Sequence, residues 1–146
     1  MKKFFVSILF FVAICPAFSQ QKINIIPQPA EVRLGTGEFV VTPSTTIVVL
    51  GSDPEVKRVA SMLNMELKRA AGFELKIGNA PSKNAIHFKL MADPSLGKEG
   101  YRLKVGYEEV EVSANQPAGL FYGLQSLLQL LPPQIESKIN NQKTLL

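Results

Sequence analysis

The sole histidine of the sequence, His87, is the first side chain with the chemistry of a catalytic group. It belongs to the alternating segment Ala85–Leu90, whose pattern predicts a strand with Ile86 and Phe88 on one face and His87 on the other, solvated face. No serine or acid is placed by a motif to complete a triad with it. One histidine without cysteines or a carboxylate cluster also makes no zinc site. We therefore predict a solvent-facing histidine with no catalytic role.

Glu109 and Glu111 are the second candidate, because two carboxylates on one strand face resemble the acid pair of a glycosidase. A glycosidase acid needs a pocket that raises its pKa. These two glutamates are instead predicted to face cationic partners across a hairpin, on the solvated face of a sheet. The sequence favours a structural role for both.

Two weaker motifs remain. Gly35-Thr36-Gly37 resembles the start of a phosphate loop, but no third glycine, lysine or helix follows it, so we predict a turn. Gln125 and Gln129 lie one helical turn apart; they form either a solvated stripe or a surface for a sugar or a neighbouring domain. We predict no catalytic, cofactor-binding or metal-binding residue in this chain, and no cofactor.

The N-terminus has the pattern of an export signal. Lys2 and Lys3 precede a short apolar run, Phe4–Ala13, and small residues near Ser19 suit a signal peptidase. The run is about half of the ~20 residues needed to cross a bilayer. We expect a signal peptide over residues 1–19 and a periplasmic or extracellular protein.

The only cysteine, Cys15, lies within this predicted signal. Lipid attachment prefers a small residue before the cysteine, whereas Ile14 stands there, so a membrane anchor at Cys15 is not expected. Removal of the signal leaves no thiol for a disulfide, a zinc site or a nucleophile. It also leaves 14 basic against 12 acidic residues, since Lys2 and Lys3 are lost from 16. The basic residues are scattered, which argues against a nucleic-acid partner.

Two segments have helical periodicity. The first spans about Asp53–Ala71, with a Ser52–Glu55 capping box at its start and Gly72 after its last apolar position. It is the best-delimited helix of the sequence.

The second helix is predicted over about Pro117–Leu131 and contains Gly119 and Gly123, one turn apart. An interior glycine costs about 1 kcal/mol relative to alanine. The pair therefore predicts that this helix approaches a sheet closely.

The remaining segments are strand-like. The predicted strands are Glu38–Thr42, Thr45–Leu50, Leu75–Ile77, Ala85–Leu90 and the two arms of a hairpin within Gly100–Ala114. A two-residue turn at Gly106-Tyr107 pairs Arg102 with Glu111 and Lys104 with Glu109 on one face. The expected fold class is α+β: a two-layer α/β sandwich with a mostly antiparallel sheet and two helices on one face.

The stretch from Glu99 to Pro132, EGYRLKVGYEEVEVSANQPAGLFYGLQSLLQLLP, resembles the end of the N-terminal domain of glycoside hydrolase family 20, the exo-acting β-N-acetylhexosaminidases. The matching elements are an E-G-Y-x-L strand, an A-G-x-F-Y-G-x-Q-S-L segment from Ala118 to Leu127, and a closing Q-L-L-P. The opening Ile26-Pro27-Gln28-Pro29 is similar to the start of that domain.

The resemblance implies a non-catalytic α/β domain over residues 20–133 that precedes a (β/α)₈ barrel. It places catalysis on an adjacent Asp-Glu pair in the barrel, and this sequence contains no Asp-Glu dipeptide. A barrel takes about 250 residues. We therefore expect residues 134–146 to be a linker, truncated before a missing barrel that would be the partner domain and the only route to a glycoconjugate substrate.

Two alternatives stay open at this point. O-GlcNAc hydrolases and α-glucuronidases carry a similar sandwich before a different barrel. A free-standing carbohydrate-binding module would need exposed aromatic rings, and the sequence has no tryptophan and three tyrosines.

Overall fold

A computed structural model describes residues 23–132. The predicted signal peptide, Cys15 and the predicted linker over residues 134–146 lie outside the described residues. Five strands and two α-helices follow in chain order: β1 Thr46–Leu50, α1 Pro54–Ala71, β2 Lys76–Gly78, β3 Ala85–Leu90, β4 Tyr101–Val105, β5 Glu109–Ala114 and α2 Pro117–Leu130. A short 3₁₀ turn, Pro94–Leu96, precedes β4.

The strands form one sheet in the order β2-β1-β3-β5-β4, and both helices pack against it. The predicted α+β sandwich is confirmed, but the prediction of a mostly antiparallel sheet is wrong. Three of the four strand pairings are parallel, and only β4 with β5 is antiparallel. Two parallel strands that are neighbours in a sheet must be joined by a crossover connection. Helix α1 is this connection between β1 and β2. At the other side of the sheet, β5 lies between β3 and β4, so that it pairs with both.

The hairpin of β4 and β5 forms, with a register two residues away from the predicted one. Val105 pairs with Val110, so four residues close the hairpin instead of two, and Lys104 lies opposite Glu111. A shift of two residues keeps every side chain on its face, whereas a shift of one would reverse them. The side chains on the apolar face of the hairpin are therefore those predicted. The predicted pairs of Arg102 with Glu111 and of Lys104 with Glu109 do not form.

Helix α1 begins one residue later than the predicted capping box implies. Asp53, and not Ser52, is the N-cap, because its carboxylate accepts a hydrogen bond of 2.8 Å from the backbone N–H of Glu55. At the other end Gly72 adopts the left-handed conformation, with φ 77°, and donates to the carbonyl of Lys68, as predicted.

Helix α2 lies directly on β4 and β5, and its two glycines permit that approach. A Cβ atom on Gly123 would lie 2.5 Å from Cγ1 of Val112, and one on Gly119 would lie 2.3 Å from the carbonyl oxygen of Gly100. The predicted close contact with the sheet is confirmed.

Residues 38–42 were expected to form a strand, and the structure shows no strand there. The backbone N–H of Thr42 donates to Oγ1 of Thr45 at 2.9 Å, a local bond that turns the chain before β1. Phe39 and Val41 still pack against the core, while Val40 is 51% exposed. The segment thus alternates as predicted without pairing to the sheet.

The core lies between the sheet and the helix layer. Its largest fully buried side chains are Phe88, Ile47, Leu63, Leu67, Ile86, Leu120 and Leu124. Neither described helix combines the length and the apolar character needed to cross a membrane.

Candidate functional site

The prediction that His87 faces solvent is wrong: its side chain is buried, with 7% of its surface exposed. It does point away from the helix layer, but the chain before β3 folds over it, and its Nε2 lies 3.1 Å from the carbonyl oxygen of Ser82. Nε2 is then the donor, since a carbonyl oxygen only accepts. This bond anchors the loop to the sheet.

Glu111 lies beside His87 in the parallel pairing of β3 and β5, a proximity that the sequence did not predict. Its carboxylate bonds Nζ of Lys89 at 2.7 Å. Predicted partner Arg102 instead bonds the carboxylate of Asp93 at 2.5 Å. The three groups His87, Lys89 and Glu111 are thus held in structural contacts. Within residues 23–132 no group of His, Cys, Asp or Glu has the arrangement of a metal site.

The segment Gly35-Thr36-Gly37 bends at Thr36, and the next described helix does not begin until Pro54. It therefore lacks the helix N-terminus that a phosphate loop requires. That no residue of this chain is catalytic stays a prediction.

Gln129 has a role that the sequence did not reveal. Its side-chain amide forms two hydrogen bonds with the backbone of Ile26: the N–H of Ile26 donates to Oε1 at 2.8 Å, and Nε2 donates to the carbonyl of Ile26 at 2.9 Å. Gln125, one turn earlier, is exposed. The periodicity of α2 placed both side chains outside the core, but no local signal named a partner 103 residues away.

The outer surface of the helix layer is the best candidate for a functional site. A groove of about 530 Å³ runs between α1 and α2, lined by Met62, Met65, Glu66, Arg69, Leu124, Gln125, Leu128 and Gln129. Met65 is 61% exposed, and the Glu66–Arg69 ion pair lies on the α1 side of the groove. We call this surface the helix-layer groove.

Apolar side chains continue along α2 beyond the groove. Phe121 and Tyr122 are exposed and pack edge to face, with ring centroids 5.7 Å apart, and Leu130 is also exposed. Exposed apolar side chains such as the Phe121–Tyr122 pair are typical of interaction sites. The outer surface of the helix layer is therefore suited to contact with another folded surface.

Comparison with known proteins identifies the kind of domain that has this architecture. The family model for glycosyl hydrolase family 20, domain 2, matches residues 22–144. The chain belongs to glycosyl hydrolase family 20.

Curated family 20 relatives are considerably longer than this chain. It is 38% identical over 117 residues to a beta-hexosaminidase of Porphyromonas gingivalis, a match that covers 79% of this chain and 15% of the relative. It is 31% identical over 111 residues to a beta-N-acetylhexosaminidase of Cellulomonas fimi, covering 73% and 22%. The chain thus spans less than a quarter of the length of either relative.

Solved family 20 structures agree with the fold. The β-N-acetylhexosaminidase of Streptomyces coelicolor A3(2) is 38% identical with a TM-score of 0.70, and the match covers 78% of this chain and 22% of that one. The Streptomyces plicatus enzyme in complex with thio-NAglucal is 39% identical with a TM-score of 0.71 and the same coverage.

Proposed function

We propose that this chain is the non-catalytic N-terminal domain of an exported exo-β-N-acetylhexosaminidase, which removes terminal N-acetylglucosamine or N-acetylgalactosamine from glycoconjugates. The single observation that carries the proposal is the family 20 domain 2 match over residues 22–144. The relatives named as hexosaminidases are several times longer, which supports a catalytic barrel in the remainder of the protein.

In this setting the domain supports the barrel through its last helix, the helix-layer groove and the linker. Its exposed apolar side chains, among them Met65, Phe121 and Leu130, would be covered in a two-domain protein. We further propose that residues 1–19 are an export signal, which would direct the enzyme to the periplasm or outside the cell.

The first test is an activity assay. The 146-residue chain is incubated with p-nitrophenyl N-acetyl-β-D-glucosaminide, and we expect no release of p-nitrophenol. Release that disappears on substitution of a side chain such as Glu111 would contradict a non-catalytic domain.

The second test measures the supporting role. A catalytic barrel from the Porphyromonas gingivalis relative, prepared without its own equivalent domain, is titrated with this chain. We expect binding that Phe121→Lys weakens, since it places a charge on the apolar surface of α2. Lys76→Glu, at an exposed position of β2, is the matched control and leaves binding unchanged. Equal weakening by both changes would contradict contact through the helix layer.

A further inference from the structure

Tyr107 lies at the tip of the β4–β5 hairpin and packs on the backbone of Gly37. A Cβ atom on Gly37 would lie 2.2 Å from both Cε1 and Cζ of the ring and 2.8 Å from Cε2. Such a point lies above the ring, because an approach from the edge would leave Cε2 much farther away. One face of the tyrosine is therefore covered by a glycine that has no side chain to interfere.

Most of the tyrosine is accessible to solvent. Tyr107 is 68% exposed, although Gly37 packs on its ring. An aromatic ring that rests on backbone and is otherwise largely exposed is suited to stacking, because little side-chain freedom is lost when a ligand binds.

Polar groups line a cleft beside Tyr107. Tyr107 lines a cleft of about 510 Å³ together with Ser82, Lys104 and Glu109, and with Lys83 and Glu108, which bond each other at 3.2 Å. The cleft is open to solvent along much of its boundary. It combines one aromatic face with a hydroxyl, an ammonium and a carboxylate, and so differs from the apolar helix-layer groove.

The cleft also lies at the end of the sheet from which the chain leaves. Along α2, Gly119 contacts Ala114 and Gly123 contacts Val112, so the helix runs antiparallel to β5 and returns toward the hairpin tip. The C-terminal end of α2 and the hairpin tip are therefore at the same end of the sheet.

We propose that this cleft binds one pyranose ring of a glycan, with the C–H face of the sugar stacked on Tyr107. The electron-rich face of the ring attracts polarised C–H groups, while Lys104 and Glu109 are placed to bond sugar hydroxyl and amide groups. The choice of an N-acetylhexosamine as the sugar rests on the proposed function; the stacking surface itself does not.

Saturation-transfer NMR with the 146-residue chain and methyl N-acetyl-β-D-glucosaminide tests the proposal. We expect saturation of the ring protons of one sugar face at millimolar sugar. Tyr107→Leu weakens binding by about tenfold, in the range that stacking on an aromatic ring contributes for nucleobases. Tyr107→Phe retains the ring and the binding. Tyr122→Leu, at an exposed tyrosine of α2, is the control and binds like the parent chain.

A titration of the unmodified chain makes the test independent of any variant. In ¹H–¹⁵N spectra, the amides of Gly106 and Gly37 shift with added sugar, while those of Phe121 and Tyr122 do not. Absence of saturation transfer, shifts confined to α2, or unchanged binding by Tyr107→Leu would each overturn the inference. A chain that binds the catalytic barrel and no sugar contradicts this inference alone; sugar binding without barrel binding contradicts the proposed function alone.

Discussion

Gln129 on the last turn of α2 and Ile26 near the start of the described chain are joined by two reciprocal hydrogen bonds between a side-chain amide and one backbone unit. The side-chain amide bonds both the N–H and the C=O group of one residue, as the backbone of a neighbouring strand does in a β-sheet. It ties the opening IPQP segment to the helix that ends in QLLP. These two sequence motifs are thus parts of one contact.

Gln129→Ala removes both hydrogen bonds, and we expect the segment around Ile26 to detach from α2 while the sandwich stays folded. The loss of two exposed hydrogen bonds corresponds to about 1–2 kcal/mol. Hydrogen–deuterium exchange measures the detachment of the segment. We expect the Ile26 amide to exchange faster, while the protection of the backbone amides of β3 is unchanged. Gln125→Ala, on the same helix, is the control. Unchanged exchange at Ile26 would show that the segment is held by other contacts.

Gly123→Ala tests the closeness of α2 to the sheet. Alanine favours a helix by about 1 kcal/mol over glycine, but its Cβ would meet Val112 at 2.5 Å and Tyr101 at 3.2 Å. Overpacking of this kind costs about 1–3 kcal/mol, so we expect a net loss of stability. Urea unfolding measures it. Gln125→Ala serves again as the exposed control, and a variant more stable than the parent would contradict the close packing.

The helices could be predicted from the sequence because their information is local. Apolar spacing located both helices, and Gly119 and Gly123 predicted the contact with the sheet before any partner was known. The resemblance in the last third of the chain then predicted the family. By contrast, the sequence did not identify the N-cap of α1 correctly. Ser52 and Asp53 are both residue types that cap helices, and only the backbone geometry shows that Asp53 is the N-cap.

Sheet order and register depend on contacts between distant residues, and here the prediction was wrong. The alternation of β4 and β5 fixed which side chains face the core, but a loop of two or four residues satisfies it equally. The burial of His87 was not predicted because it depends on the loop that contains Ser82. The sequence of this loop has no pattern that indicates its position over His87. The cleft at Tyr107 was missed because Gly37, its support, is 70 residues away in the chain.

Tyr101 and Ser126 provide the third prediction. The phenol oxygen of Tyr101 on β4 lies 2.5 Å from Oγ of Ser126 on α2, and Ser126 is only 5% exposed. Tyr101→Phe leaves a buried hydroxyl without its partner, which costs about 1–3 kcal/mol. We expect Ser126→Ala to destabilise the fold as well, and the double variant to lose less than the sum of the two. Tyr122→Phe, at an exposed tyrosine, is the control; strict additivity in urea unfolding would show that the two hydroxyls are not coupled.

Asp93 leads to a prediction about acid stability. The Ser95 hydroxyl, at 2.5 Å, is the largest cause that lowers the pKa of Asp93 below its ordinary value of 3.8. Desolvation opposes it as the second-largest effect, and the Ser95 backbone N–H and the Arg102 guanidinium lower the pKa further. The folded state therefore binds this proton more weakly than the unfolded state. The contribution to stability is present above the ordinary pKa and is lost as the pH falls through the lower, folded pKa.

We therefore expect Asp93→Asn to be less stable than the parent at pH 7 and to lose less stability than the parent between pH 5 and pH 2. The urea midpoints of the parent and of Asp93→Asn are measured at several pH values. We expect the difference between the two midpoints to become smaller as the pH falls. Glu31→Gln, in an exposed ion pair with Arg33, is the control and should follow the parent curve. A difference between Asp93→Asn and the parent that stays constant down to pH 2 would mean that the carboxyl is bound equally strongly in its protonated form, in contradiction to the hydrogen bonds from Ser95.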